Sequence, residues 1–263
     1  MQRYHAVNDD DLMKIHETSL KILENVGINM TYEPAREVLK KHGAKVDGKT
    51  VFFPASLVME KVRLAPKEYT LYARDPKRNV FISTEDIHYC APGGSTYVQD
   101  IDRGRRKSTQ QDFDDLVKLY HMMNGVEIHH VPCEMNEIPT DFRNKLLVYE
   151  TYKYSDKPLM GYMYGYEEAL QCLELAAVPF GGLEAVRNKP VFVADPCSVT
   201  PLCYEEKALG TMMLLAEYGQ VQLVNSLGMS GTTSPITLPG NAAVQNAEIL
   251  AGITLIECIN PGA

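Results

Sequence analysis

The chain has 263 residues and a formal net charge of −8 at pH 7, and this acidic balance argues against nucleic-acid binding, which favours basic faces. The length is enough for one large domain or two small ones. The six cysteines are scattered and form no Cys-x-x-Cys pair, which predicts reduced thiols. The sequence shows neither a signal-peptide core nor an uninterrupted apolar segment of ~20 residues, so we expect a soluble cytoplasmic protein that does not enter a membrane.

The first 85 residues mix helical and strand-like patterns. Asp residues precede an amphipathic pattern that Gly27 ends, and a proline begins a later one at Pro54. We expect residues 1–85 to form a mixed α+β segment that leads into the rest of the chain. The helices predicted there are 9–26, 34–41 and 54–64, and the strands are 51–53, 69–73 and 79–83.

A hairpin and a helix follow this segment. Residues 96–101 form a strand-like piece before the basic run 103–107, and residues 110–123 have helical spacing. The basic run is interpreted as a solvated hairpin turn, and a docking surface for an acidic partner is the alternative.

From Gly125 onward, apolar runs recur every ~30 residues with amphipathic stretches between them. This alternation is typical of parallel strands joined by helices, and it predicts an α/β fold: an incomplete TIM-type (β/α) barrel over residues 86–263, forming the catalytic domain. An open doubly wound sheet is the alternative, but its Gly-rich fingerprint does not occur. The predicted strands are 126–132, 158–164, 190–195, 221–227 and 255–259, and the helices are 141–154, 167–177, 205–218 and 240–252.

The last predicted strand, 255–259, is followed by only four residues. A parallel edge strand without its covering helix exposes backbone groups and an apolar face. We therefore expect the chain to be the N-terminal part of a larger barrel and to form a homo-oligomer.

The carboxyl ends of barrel strands are where reactive groups gather. Tyr162 and Tyr164 are two residues apart, so they lie on one face of their strand, above Met160. If that face points inward, their rings line the barrel mouth and can hold a quaternary ammonium by cation–π attraction, and Tyr97 can cover the same mouth. The alternative is that these tyrosines only pack.

Two other groups of residues are candidates for metal or corrinoid binding. His129, His130, Cys133 and Glu134 could contribute to a metal site, but adjacent side chains on a strand point to opposite faces and no second cluster completes a ligand set, so ordinary packing is favoured. The stretch 86–91 has the spacing of a corrinoid-binding Asp-x-His-x-x-Gly loop, except that Ala91 replaces the glycine. We treat that match as coincidence and predict that the chain binds neither a metal nor a cofactor.

Several stretches, in order along the whole chain, resemble the trimethylamine methyltransferase family, and in particular its quaternary-amine relatives that lack pyrrolysine. They are 15–27, 71–76, 91–95, 102–106, 232–240, 245–252 and 260–262. Family members are longer, in agreement with the truncation predicted above.

The resemblance implies a TIM-type barrel that presents an N-methyl group of glycine betaine, proline betaine or carnitine to Co(I). The cob(I)alamin, which becomes methylcobalamin, is carried by a separate corrinoid protein. It implies that Tyr97, Tyr162 and Tyr164 bind the substrate. Gly94, Ser198 and Ser226 are candidates for its carboxylate end, and catalytic residues are not identified.

Two rival hypotheses remain open. The chain could be a non-catalytic quaternary-ammonium-binding or assembly protein of the same fold. It could also be a zinc-dependent relative that activates a thiol or methyl donor through His130 and Cys133.

Overall fold

A computed structural model describes residues 7–263. The helices are α1 (Asp9–Asn25), α2 (Glu33–Lys41), α3 (Ala55–Val62), α4 (Gln110–Met122), α5 (Thr140–Tyr154), α6 (Tyr166–Ala177), α7 (Glu206–Glu217) and α8 (Leu238–Ile259). The strands are β1 (Ile28–Met30), β2 (Lys45–Asp47), β3 (Thr50–Phe52), β4 (Tyr69–Leu71), β5 (Val80–Ile82), β6 (Tyr97–Asp100), β7 (Gly104–Lys107), β8 (Leu159–Met160), β9 (Phe192–Ala194), β10 (Cys203–Tyr204) and β11 (Val221–Gln222).

The helices α1 to α7 confirm the seven predicted at those positions. Side chains cap two of these helices: Asn8 accepts a hydrogen bond from the backbone N–H of Asp11 at the start of α1, and Thr109 and Asp112 form a capping box at the start of α4. The hairpins β4–β5 and β6–β7 are confirmed as well. The sequence interpretation missed β1 and β2, each only three residues long.

A four-stranded sheet lies among the N-terminal elements, with strand order β10-β1-β3-β2. Strand β1 runs antiparallel to β3 and parallel to β10, so residues 203–204 join a sheet built otherwise from the first 52 residues. The core beneath it combines Leu23, Met30 and Phe53 with Leu209 of α7 and Leu255 of α8. The N-terminal segment therefore packs directly on the last two helices.

Five parallel segments form a row in the same order as in the chain. They are 90–95, 128–133, 159–161, 192–197 and 221–225, joined by bridges such as Cys90–Ile128 and His129–Leu159 and by the pairs β8–β9 and β9–β11. Four of them overlap predicted strands, and the fifth, 90–95, was not predicted to be a strand. Within residues 7–263 the row does not close into a barrel.

The two faces of this row are covered differently. On one face, which we call the hairpin face, Met160 and Val193 pack against Leu71 and Val80 of the β4–β5 hairpin. On the other face, the helix face, residues such as Phe192 pack among the buried residues of α5, α6 and α7. Alternate residues of each segment therefore face the hairpin and the helices.

The predicted strand 255–259 is wrong, because these residues are the last turns of α8. This helix of 22 residues packs on α1, α3, α7 and α2 and is buried on most sides, so its apolar residues run continuously instead of keeping to one stripe. Gly252 does not end it; a side chain there would lie 2.7 Å from Val224, so the glycine permits close packing. The uncovered edge strand on which we based self-association is therefore absent from residues 255–259.

Helix α8 is also long and apolar enough, by length and composition, to span a bilayer. However, 67% of its most apolar window is buried inside the protein, and it carries Glu248 and Glu257 in buried positions. Both features are those of a core helix.

Candidate functional site

Three polar side chains lie in one layer of the hairpin face. The apolar residues Ile128, Met160 and Val193 belong to that face, where they pack with the β4–β5 hairpin. Two residues further along each segment, toward its carboxyl end, come His130, Tyr162 and Asp195. Because side chains alternate along a strand, these three face the same side as the apolar layer below them.

The layer is close-packed around two glycines. The rings of His130 and Tyr162 are 5.2 Å apart between centroids and inclined by 67°. A Cβ atom on Gly93 would lie 2.0 Å from Nδ1 of His130, and one on Gly94 would lie 3.0 Å from the Tyr162 hydroxyl. The segment 90–95 can therefore approach these two rings only because both positions lack a side chain.

A cavity of about 340 Å³ opens at the carboxyl ends of β8 and β9. Tyr162 and Tyr164 line it from one segment, Asp195 and Cys197 from the next, and Lys207 from the start of α7. This is the position at which sites form in parallel α/β folds.

The surroundings of Tyr162 are acidic. Burial raises the pKa of Tyr162 to about 12, and the negative charges of Asp195 and Glu134 act in the same direction. Burial likewise raises the pKa of Asp195, while His130 lowers it. Asp195 makes no ion pair within 4.0 Å and no hydrogen bond to another side chain of the described residues, so its carboxylate stays open to the cavity that it lines.

The ring faces of Tyr162 and Tyr164 are not covered by any cation of the described chain. In contrast, Arg105 lies 4.2 Å from the ring centroid of Tyr97. Tyr97 lines a separate open cavity of about 440 Å³ together with Gly94. The structure thus brings Tyr162 and Tyr164 together and leaves Tyr97 outside their cavity, and a role for Tyr97 in substrate binding stays a prediction.

Ser198 and Ser226 come together around Glu248 of α8. The hydroxyls of Ser198, Thr200 and Ser226 all donate to Oε2 of Glu248, the last two over 2.8 Å and 2.6 Å, and the backbone N–H of Leu202 donates to Oε1 over 2.6 Å. In this arrangement neither serine hydroxyl is free to donate to a ligand's carboxylate. Their assignment to the carboxylate end stays untested, and their observed partner is a buried carboxylate of the protein.

His130 and Cys133 do not converge. Cys133 is fully buried among Phe113, Val117 and Leu147. The ring of His130 instead packs on Tyr162 and against Gly93. Glu134 forms an ion pair with Arg143 at 3.3 Å. Among residues 7–263, no group of three or more His, Cys, Asp or Glu side chains is placed to hold a metal ion, so the zinc hypothesis gains no support.

Sequence reasoning considered His130 only for a metal site and selected neither Asp195 nor Lys207. The signal for the first two was present: each follows an apolar residue of its strand by two positions, as Tyr162 follows Met160. Lys207 gave no such signal, because its position depends on how α7 packs.

Comparisons with known proteins show the family to which the chain belongs. The family described as trimethylamine methyltransferase (MTTB) matches residues 1–263. The chain is 40% identical to the glycine betaine methyltransferase of Desulfitobacterium hafniense strain Y51 over 263 residues, covering 100% of this chain and 55% of that protein. It is 28% identical over 272 residues to the proline betaine:corrinoid methyltransferase of Eubacterium limosum, covering 97% of this chain and 54% of that protein.

A solved structure has a similar fold. The monomethylamine methyltransferase of Methanosarcina barkeri superimposes with a TM-score of 0.55 at 10% identity, over 90% of this chain and 55% of that one. The chain spans about half the length of the curated relatives it matches. Since the family pattern extends over all 263 residues, the chain belongs to the trimethylamine methyltransferase (MTTB) family.

Proposed function

We propose that this chain is part of a cytoplasmic methyltransferase that moves a methyl group from a betaine-type quaternary amine to Co(I) of a separate corrinoid protein. The identity of 40% to a glycine betaine methyltransferase and the similarity to a proline betaine:corrinoid methyltransferase support this substrate class. We further propose that the five parallel segments are part of a TIM-type barrel, and that the cavity at their carboxyl ends receives the substrate.

The observation that carries the proposal is the pairing of two tyrosine rings with an unpaired carboxylate on one cavity. Tyr162 and Tyr164 offer ring faces that no internal cation occupies, and Asp195 adds negative charge beside them. A quaternary nitrogen has no N–H to donate, so ring faces and a nearby anion are the means by which a protein can hold it.

The residues present suit the chemistry. The cobalt of the partner's corrinoid would supply the nucleophile. When the methyl group is transferred, the C–N bond breaks and its electron pair stays on the quaternary nitrogen, so the amine leaves neutral and needs no proton. Tyr162 stays protonated, because its pKa is about 12. The tasks of this chain are therefore to orient the methyl group, to exclude water and to stabilise the ammonium.

The test is methyl transfer by the complete protein that contains this chain, with a Co(I) corrinoid protein and glycine betaine, followed through the visible absorbance of the corrinoid. We expect transfer from glycine betaine and a large loss of rate in Asp195→Asn. The absence of transfer from glycine betaine, proline betaine and carnitine would contradict the proposal.

A non-catalytic quaternary-ammonium-binding protein is the second outcome of that experiment. It would bind betaine in calorimetry with the same dependence on Tyr162 and Tyr164, but it would not methylate the corrinoid. Exposed apolar side chains near the carboxyl ends of the segments, among them Val199, Leu223 and Leu227, are compatible with association with a partner in either case.

A further inference from the structure

The cavity beside Tyr162 is lined by one cationic side chain of the described chain, that of Lys207. This residue lies in the first turn of α7, next to Ala208, which lines the same cavity. The carboxylate of Asp195 and the neutral rings of Tyr162 and Tyr164 come from the strand ends, whereas Lys207 belongs to the helix. Positive and negative charge therefore reach one cavity from different elements.

The ammonium of Lys207 has no partner among residues 7–263. The side chain is exposed and makes neither a hydrogen bond nor an ion pair with them, while the backbone carbonyl of Lys207 accepts from the Thr211 hydroxyl. By comparison, Lys157 donates to three carbonyl oxygens, and Lys153 pairs with Glu150 at 2.8 Å. The ammonium of Lys207, on a flexible four-carbon stem, is thus available to an anionic group inside the cavity.

The two serine hydroxyls suggested earlier for binding a carboxylate already have a partner. The hydroxyls of Ser198 and Ser226 donate to Glu248. Glu205 lines the cavity too, but it precedes α7 and forms no ion pair with Lys207 within 4.0 Å. With Asp195 and Glu205 as anions and Lys207 as cation, the cavity suits a ligand that carries both charges better than a simple anion.

We propose that Lys207 binds the carboxylate of a zwitterionic quaternary amine whose ammonium lies at Tyr162, Tyr164 and Asp195, so that the cavity selects carboxylated amines over carboxylate-free ones. This inference rests on the proposed function, and it assigns the carboxylate end to a residue that the sequence interpretation did not name. Lys207 is a specificity residue in this account, since it contacts the part of the substrate that does not react.

The test compares two ligands by calorimetry with the complete protein: glycine betaine, which has a carboxylate, and tetramethylammonium, which lacks one. In Lys207→Met we expect glycine betaine to bind about tenfold more weakly, as for a lost charge-assisted hydrogen bond, and tetramethylammonium to bind as in the wild type. Lys207→Arg keeps a cation and should retain most of the affinity. Lys21→Met, which removes an exposed lysine of α1, is the matched control and should change neither affinity.

The outcomes separate this inference from the proposed function. Equal binding of glycine betaine by Lys207→Met and the wild type would overturn the inference alone, provided that tetramethylammonium still binds. An equal loss for both ligands in Lys207→Met would also overturn it, because the effect would then not depend on the carboxylate. If the wild type binds neither ligand, the proposed function fails and the inference fails with it.

Discussion

The imidazole of His130 packs edge to face on the ring of Tyr162, with 5.2 Å between their centroids. Gly93 lies against the imidazole of His130: a Cβ atom at residue 93 would be 2.0 Å from Nδ1 of His130 and 2.5 Å from its Cγ. His130 thus occupies the space between a glycine and the ring that we assign to ammonium binding. Its position depends on the absence of a side chain at residue 93.

Gly93→Ala is expected to displace the His130 ring and to destabilise the protein by about 1–3 kcal/mol, the usual cost of overpacking a close contact. Urea unfolding measures the change in the free energy of unfolding. Gly125→Ala is the control, since a Cβ atom at Gly125 meets nothing within 4 Å. A Gly93→Ala protein as stable as Gly125→Ala would show that the His130 ring is not confined.

We expect the burial of His129 to make the stability of the protein depend on pH. It is fully buried, neither ring nitrogen has a hydrogen-bond partner, and burial lowers its pKa to about 3, with Lys157 and His121 contributing. In the unfolded chain this ring takes up a proton near pH 6.5. Between pH 6.5 and 3 the unfolded state therefore binds more protons than the folded state. The free energy of unfolding therefore falls as the pH falls through this window, by up to about 1.4 kcal/mol per pH unit.

Urea unfolding at pH 7, 6 and 5 checks this prediction by comparing the wild type with His129→Leu. The variant removes one source of the slope, so its stability should fall less steeply with falling pH. His42→Leu, at an exposed position, should keep the wild-type slope. Parallel slopes for the wild type and His129→Leu would contradict the account.

Glu248 is predicted to hold together the loops that follow β9 and β11. It is fully buried and accepts hydrogen bonds from three hydroxyls and one backbone N–H. Glu248→Ala leaves these donors without an acceptor and should cost about 3 kcal/mol or more. Glu248→Gln keeps one acceptor oxygen and should cost less.

Denaturant unfolding of both Glu248 variants tests this order, with Glu174→Gln on the exposed side of α6 as the control. We expect Glu248→Ala to be the least stable variant and Glu248→Gln to be intermediate. The Glu174→Gln control should be close to the wild type. If Glu248→Ala matched the control, the buried carboxylate would have no organising role.

Helices such as α1 and α4 could be predicted from the sequence because each has one apolar face. Helix α8 was divided wrongly for the opposite reason: it is buried on most sides, and its residues 255–259 have the continuous apolar run that also characterises a buried strand. Strand β1 is held by pairing with distant residues, Ile28 with Val51 for example, so no local pattern marks it. Strand β2 pairs with the adjacent β3 across the turn 48–49, a short local hairpin that the sequence interpretation missed.

The site was predictable only where it depends on alternation along a strand. The spacing of Tyr162 and Tyr164 placed them on one face, and the structure gives them one cavity. The engagement of Ser198 by Glu248 joins residues 50 positions apart, and the presence of Lys207 in the cavity depends on the packing of α7. Both follow from tertiary structure and leave no local signal in the sequence.

The central claim is that the rings at residues 162 and 164 hold a quaternary ammonium, and calorimetric titration of glycine betaine tests it most directly. The account predicts that Tyr162→Phe and Tyr164→Phe, which keep the ring, bind within about threefold of the wild type, whereas the two Leu variants bind about tenfold more weakly. Tyr149→Leu, at an exposed tyrosine of α5, is the control and should bind normally. Undiminished binding by both Leu variants would contradict the claim.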